Sequence, residues 1–238
     1  FPMEASISQV DVDGERLATV ILRDITERIA NEEARLLLAR EVDHRAKNAL
    51  AVVQALVSQT TAPTTEGFIS AVRGRIGALG RAHSLLAQNR WQGGDMRKII
   101  AEELEAYHKP GQIRLQGADV ILSPNAVQPF SLLIHELATN AVKHGALSVP
   151  AGKIDVDWRF FGNDHLLFEW VEHGGPPAIA QPSHGFGMSL MSTVVRQLGG
   201  TLDLSWGTDG IRVAAQLPSA NYRRAANSDS LAHVVSPG

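Results

Sequence analysis

The sequence predicts an α+β protein in which a helical hairpin precedes an α/β sandwich. Three observations carry that expectation. The stretch from Thr26 to Thr60 contains neither glycine nor proline, so one long helix can run through it before the Thr60-Thr61-Ala62-Pro63 break. Apolar residues in it and in the next helical stretch recur at alternating steps of three and four. Beyond Gly93-Gly94, β-rich runs alternate with helical ones and are separated by glycine turns, the pattern of a layered unit.

Taken in order, residues Ser6 to Asp24 alternate apolar and polar around the turn signal Asp13-Gly14, which reads as a hairpin or two strands. Thr26 is the candidate N-cap of the long helix. Its seam is Ala39, Val42, Ala46, Ala49, Val53 and Leu56. The second helix, from about Thr65 to Asn89, has Ile69, Val72, Ile76, Leu79, His83 and Leu86. Such a hairpin buries little alone, so it is expected to complete a four-helix bundle with a second copy, or else to pack on its neighbouring domain. His83, within the second seam, is expected to be structural and hydrogen-bonded.

A short helix follows at "DMRKIIAEELEAYH". Strands are expected at Ile113 to Gln116, Asp119 to Leu122, Lys153 to Phe161, His165 to Glu172, Thr201 to Trp206 and Ile211 to Leu217. One further helix starts at Ser123-Pro124, an N-cap followed by proline at the first helical position, and ends near Gly145. Another runs from Gly187 to Gly199-Gly200. Turns at Gly162-Asn163-Asp164 and Gly207-Thr208-Asp209-Gly210 make the sheet at least partly antiparallel. After Pro218 the tail lacks periodicity and is expected to be mobile.

Composition narrows the function. A formal net charge of −3 gives no footprint for binding a phosphate backbone, so nucleic acid is not an expected partner. With no cysteine, disulfides, thiolate catalysis and cysteine metal sites are excluded. No apolar run reaches the ~20 residues of a membrane span, and no signal peptide is evident, so a cytoplasmic location is expected. The opening at Phe1 instead of Met suggests that an upstream part is missing.

The chemistry-bearing residues gather in a few places. On a wheel of about 100° per residue, Val127, Phe130, Ile134, Leu137 and Ala141 form a core stripe of the helix carrying "PFSLLIHELATNAVKHGAL". Glu136, Asn140, Lys143 and His144 lie roughly 120° away. A carboxylate, an amide and two potential cations on one side suit Mg²⁺ and phosphates; a solvated polar face is the other reading. His135 falls outside both faces. Downstream, Glu172 precedes Gly174-Gly175 in "FEWVEHGGPP", and Gly185 and Gly187 open a helix in "SHGFGMSLM". Glycines there permit close approach of a ligand, and a helix N-terminus favours an anion. His44, in "EVDHRAKNALAVVQALV", lies about 200° from Val42 and off the apolar seam, where an imidazole can meet an incoming phosphoryl group.

The ordered set "DHRAKN", "HELATNAVKHGAL", "WVEHGGPP" and "SHGFGMSLM" resembles bacterial sensor histidine kinases of the HWE subfamily over about Glu32 to Pro218. That subfamily is named for a histidine in the N box, here His135, and a Trp-x-Glu motif, here Trp170 and Glu172. The resemblance implies a dimerisation and phosphotransfer hairpin at residues 29–91. A catalytic domain of the Bergerat (GHKL) ATP-binding type, as in gyrase, Hsp90 and MutL, would follow at 92–218, with a flexible tail at 219–238.

It further implies that His44 takes the γ-phosphoryl group of ATP and that Asn140 ligates Mg²⁺, with Glu136 orienting the assembly or assisting proton removal. Lys143 and His144 would lie near the phosphates, and Gly174, Gly185 and Gly187 would shape the pocket and its lid. Glu172 stands where related kinases have an adenine-bonding aspartate, and its contact would be direct or through water. The implied partners are a response-regulator receiver domain and a second copy of the chain, with a bend near Gln92-Gly93-Gly94 bringing the catalytic domain to His44. At the start, "VILRDITERI" resembles the exit of a PAS sensor, which would make residues 1–28 its last strands and linker. Two rival functions use the same residues: an ATPase in which Glu136 activates water, and a nucleotide-binding scaffold.

Overall fold

The computed structural model describes residues 1–12, 15–107, 111–162, 165–177, 186–208 and 210–225. The turns expected at Asp13-Gly14 and Asn163-Asp164, residue Asp209 and the chain from Ala226 onward lie outside the described residues. Packing divides the chain into two compact units, Phe1–Ser58 and Gln59–Gly238.

In the first unit, β1 (Met3–Val12) and β2 (Glu15–Asp24) form an antiparallel ladder that pairs Met3 with Asp24 and Ile7 with Val20. Helix α1 (Thr26–Gln59) follows at once and is unbroken, as its lack of glycine and proline predicts. Its cap differs from expectation. Asp24 Oδ1 accepts hydrogen bonds from the Thr26 hydroxyl at 2.6 Å and the Thr26 N–H at 2.9 Å, and so takes the capping role. Those two bonds, the hydroxyl's first, hold the Asp24 carboxyl below its usual range.

In the second unit, α2 (Thr65–Gln88) is capped by Thr64, whose hydroxyl accepts from Gly67 N–H at 3.1 Å. Strand β3 (Gly94–Asp95) leads into α3 (Met96–Leu104), capped by Asp95. Strands β4 (Ile113–Gly117) and β5 (Val120–Leu122) precede α4 (Pro124–Lys143), which has Pro124 in its first turn; the Ser123 side chain makes no capping bond. Then come β6 (Lys153–Phe161), β7 (His165–His173), α5 (Phe186–Gln197), β8 (Thr201–Trp206), β9 (Ile211–Pro218) and β10 (Tyr222–Arg224).

The main sheet has the order β4-β6-β7-β9-β8, with β4 parallel to β6 and the other pairs antiparallel. Its inner face is apolar by alternation: Ile154, Val156 and Trp158 on β6, Leu166, Phe168 and Trp170 on β7, and Val213, Ala215 and Leu217 on β9. Phe130 of α4 meets Phe168 edge-on at 5.5 Å, fixing the helix to that face and adding about 1 kcal/mol beyond area burial. The outer face is charged. Arg114 pairs with Asp155 and Asp157 there, and Glu169 is bracketed by Arg159 and Arg212.

Four expectations are corrected. Helix α2 packs on α4 within the second unit, one of the two arrangements expected for the hairpin, but with a different face. Its buried face is Arg75, Ala78, Leu79, Ala82, Leu85 and Leu86, while Ile69 and Ile76 of the expected seam are 48% and 41% exposed. His83 is exposed and stands edge-on to Trp91 at 5.1 Å. The tail does not loosen at residue 219, because β10 pairs with β5, and β5 with β3, in a second sheet.

The fourth correction concerns the expected bend at Gln92-Gly93-Gly94. Gly94 pairs with Leu122 in that second sheet and is pressed by Leu85, Ile99 and Val127. Gly93 has φ +109°, and a Cβ there would collide with the Leu122 carbonyl oxygen. This is a tightly packed crossing. Gly93→Ala is therefore expected to destabilise the second unit by roughly 2 to 3 kcal/mol, combining strain with overpacking, as measured by urea unfolding. A stability unchanged from the parent would contradict this packing.

Candidate functional site

The polar side of α4 is not uniformly wet. Glu136 is buried because α2 lies over it. Arg75 Nε donates to Glu136 Oε1 at 2.7 Å and Arg75 Nη2 to Oε2 at 2.9 Å, and both side chains are nearly inaccessible. The remaining guanidinium nitrogen, Nη1, donates to the Thr60 hydroxyl at 2.8 Å. One turn beyond Glu136, Asn140 is half-buried on the same side. Gly187, in the first turn of α5, faces both: a Cβ there would come within 2.8 Å of Glu136 Oε2 and 3.6 Å of Asn140 Nδ2. The fold thus brings Glu136, Asn140 and Gly187 together. Lys143 and His144 follow at the exposed C-terminal end of α4.

A second cluster explains the Trp-x-Glu spacing. Trp170 and Glu172 alternate onto the inner face of β7, so the Trp170 indole N–H reaches Glu172 Oε1 at 3.2 Å. Glu172 Oε2 accepts the Ala146 N–H at 2.7 Å, just beyond α4. Gly145 makes room for that carboxylate, since a Cβ there would collide with Oε2. Gly174 has φ +64°, which turns the chain at the end of β7. Burial pushes the Glu172 carboxyl above its ordinary value of 4.5, although the Ala146 and Trp170 hydrogen bonds pull the other way.

The folded state holds the Glu172 proton more tightly than the unfolded chain does, so its stabilising share is complete below pH 4.5 and is lost as pH rises through the raised value. Glu172→Gln is expected to remove this decline, seen as a flatter plot of unfolding free energy against pH just above 4.5. An identical slope in both proteins would contradict the burial argument.

His135 does not face this site. It is buried beside Gly74 of α2, where a Cβ would come within 2.8 Å of Nε2, and its Nδ1 lies 3.4 Å from Glu103 Oε2. Arg81 grips the same Glu103 with two bonds, at 3.0 and 2.6 Å. Burial raises the Glu103 carboxyl, but the His135 and Arg81 bonds outweigh it and the net shift is downward. His135 thus belongs to the seam joining α2, α3 and α4.

His44 lies in mid-α1, with its side chain outside the described residues; Gly185 also lies outside them. Sequence reasoning missed Arg75, which is spaced among apolar residues of α2, and Gly145, which reads only as a helix stop. Among the described residues no group of three or more His, Asp or Glu could hold a metal by itself, and no helix is long and apolar enough to cross a membrane.

The family model described as HWE histidine kinase matches residues 41–119. A blue-light-activated histidine kinase of Rhizobium johnstonii is 34% identical over 82% of this chain and 56% of its own length. This chain belongs to the HWE histidine kinase family. A blue-light-activated histidine kinase of Brucella ovis is 32% identical over 83% of the chain and 42% of the relative, so the chain spans about half the length of these relatives. Among solved structures, the Erythrobacter litoralis EL346 blue-light activated histidine kinase superposes with TM-score 0.59 at 19% identity, over 85% of this chain and 64% of that one. Its isolated histidine kinase domain gives 0.52 at 14% identity, over 74% of this chain and 95% of that one. These likenesses show that this HWE chain shares its fold with those two structures.

Proposed function

We propose that this chain is an ATP-dependent protein histidine kinase that autophosphorylates His44 and passes the phosphoryl group to an aspartate of a response-regulator receiver domain. The observation that carries this reading is the meeting of Asn140 and Glu136 on α4 with the first turn of α5 at Gly187. A helix N-terminus accommodates anionic phosphate, glycine admits close approach, and an amide oxygen beside it suits Mg²⁺. One protein oxygen is enough where phosphates and water complete the shell. Asn140 would hold the ion, which when bound neutralises charge on the triphosphate.

The chain's own part is positioning. The neutral His44 imidazole attacks the γ-phosphorus, an N–P bond forms, the bond to the β–γ bridging oxygen breaks, and ADP leaves; the ring proton goes to solvent. Glu136 orients the site, Lys143 and His144 meet phosphate oxygens, Gly174 and Gly185 shape the pocket, and Glu172 recognises the base directly or through water. Both Glu136 oxygens are engaged by Arg75, which favours the kinase over an ATPase with Glu136 as water-activating base. Ile69 and Ile76 on α2 offer an apolar surface that a second copy would cover. In this reading β1 and β2 are the exit of a PAS-like sensor, and the protein works in the cytoplasm.

The test is incubation of the protein with Mg²⁺ and γ-labelled ATP. Label that is acid-labile and alkali-stable is the expected result. Nucleotide turnover without a phosphoenzyme would replace the kinase by an ATPase, and binding without turnover would leave a scaffold.

A further inference from the structure

We propose that Arg75 is a positioning residue of the nucleotide site, cancelling the charge of Glu136 where the triphosphate would arrive. This deepens the proposed function and rests on that reading. Glu136 Oε2 lies close to Gly187, in the turn of α5 that suits an anion. A bare carboxylate there would oppose a polyanionic ligand with little water to screen it. Arg75 removes that obstacle from another helix. Its fork takes both carboxylate oxygens, at 2.7 and 2.9 Å, and its third nitrogen is tied to the buried Thr60 hydroxyl at 2.8 Å. The guanidinium plane is thus fixed from two sides. A lysine could supply the charge but not this planar geometry. Thr60 directly follows the last residue of α1, so the grip is anchored beside the end of the helix that carries His44.

The role is distinguished from plain structural support by its dependence on ligand charge. With the full chain, displacement of a fluorescent ATP analogue by ATP, ADP and adenosine is compared for the parent, Arg75→Met, Arg75→Lys, Glu136→Gln and Arg75→Met/Glu136→Gln. The expected result for Arg75→Met is an ATP affinity weakened about 10- to 100-fold and an adenosine affinity weakened less than about threefold. The double variant, which buries no lone charge, is expected to recover ATP binding to within about threefold of Glu136→Gln alone. Equal weakening of ATP and adenosine, or a double variant as poor as Arg75→Met, would overturn the proposal. Should Arg75→Met not fold, as circular dichroism would show, the same comparison between Arg75→Lys and the double variant decides. Labelling of the parent by γ-labelled ATP is scored separately. Charge-selective dependence on Arg75 without phosphohistidine would sink the kinase reading alone, whereas phosphohistidine with no charge selectivity would sink this proposal alone.

Discussion

His44→Ala is expected to abolish acid-labile, alkali-stable labelling, a loss of about a thousandfold or more, while ATP affinity stays within about twofold of the parent. The separation follows from where the residue sits. Helix α1 runs without a break from Thr26 to Gln59 and carries His44 near its middle, within the segment matched by the family model. The candidate nucleotide groups instead come from α4, α5 and β7 in the other compact unit. Loss of the proposed nucleophile from one unit is expected to leave the proposed binding groups of the other untouched. Label retained in His44→Ala would move the phosphoacceptor elsewhere; loss of ATP binding would place His44 in the pocket itself.

Asn140→Ala is expected to lower kcat/KM for autophosphorylation by about 100- to 1,000-fold, in the range seen when one preorganised charge-stabilising group is removed. Asn140 is the polar residue on this face of α4 that combines partial access with a neighbour already neutralised by Arg75. Lys143 is exposed at the helix end, so its attraction for phosphate is screened and Lys143→Ala should cost no more than about tenfold. Steady-state labelling rates at varied ATP give both numbers. A larger loss at Lys143 than at Asn140 would reverse the assignment and make cationic capture, not the amide, the dominant contribution.

Much of the fold was legible because its signals are local. In the main sheet, strand bounds agree with alternation to within a residue or two, and β6 runs from Lys153 to Phe161 as expected. The family was legible only through the ordered motifs, since residues scattered from His44 to Gly187 have no common period. What local signals could not supply is partnership. The three-four repeat of α2 marks Ile69 and Ile76 as apolar, yet the face that packs on α4 is the one bearing Arg75 and Ala82. The glycines at 93 and 94 look like a bend from their conformational freedom, but they are small because a carbonyl and three apolar side chains press on them.

The site shows the same division. Residue types and spacing put Glu136 and Asn140 one turn apart, and Trp170 and Glu172 on one face of a strand, because helical and extended backbones repeat by fixed angles. Those pairs, and the elements that carry them, follow from local spacing. That Glu136 is buried and gripped by Arg75, 61 residues earlier, and that Gly145 yields its side-chain space to Glu172, depends on the long-range packing of the fold. The physical reason is that a local period says which way a side chain points, while its charge balance and free space depend on distant residues that the completed fold brings against it.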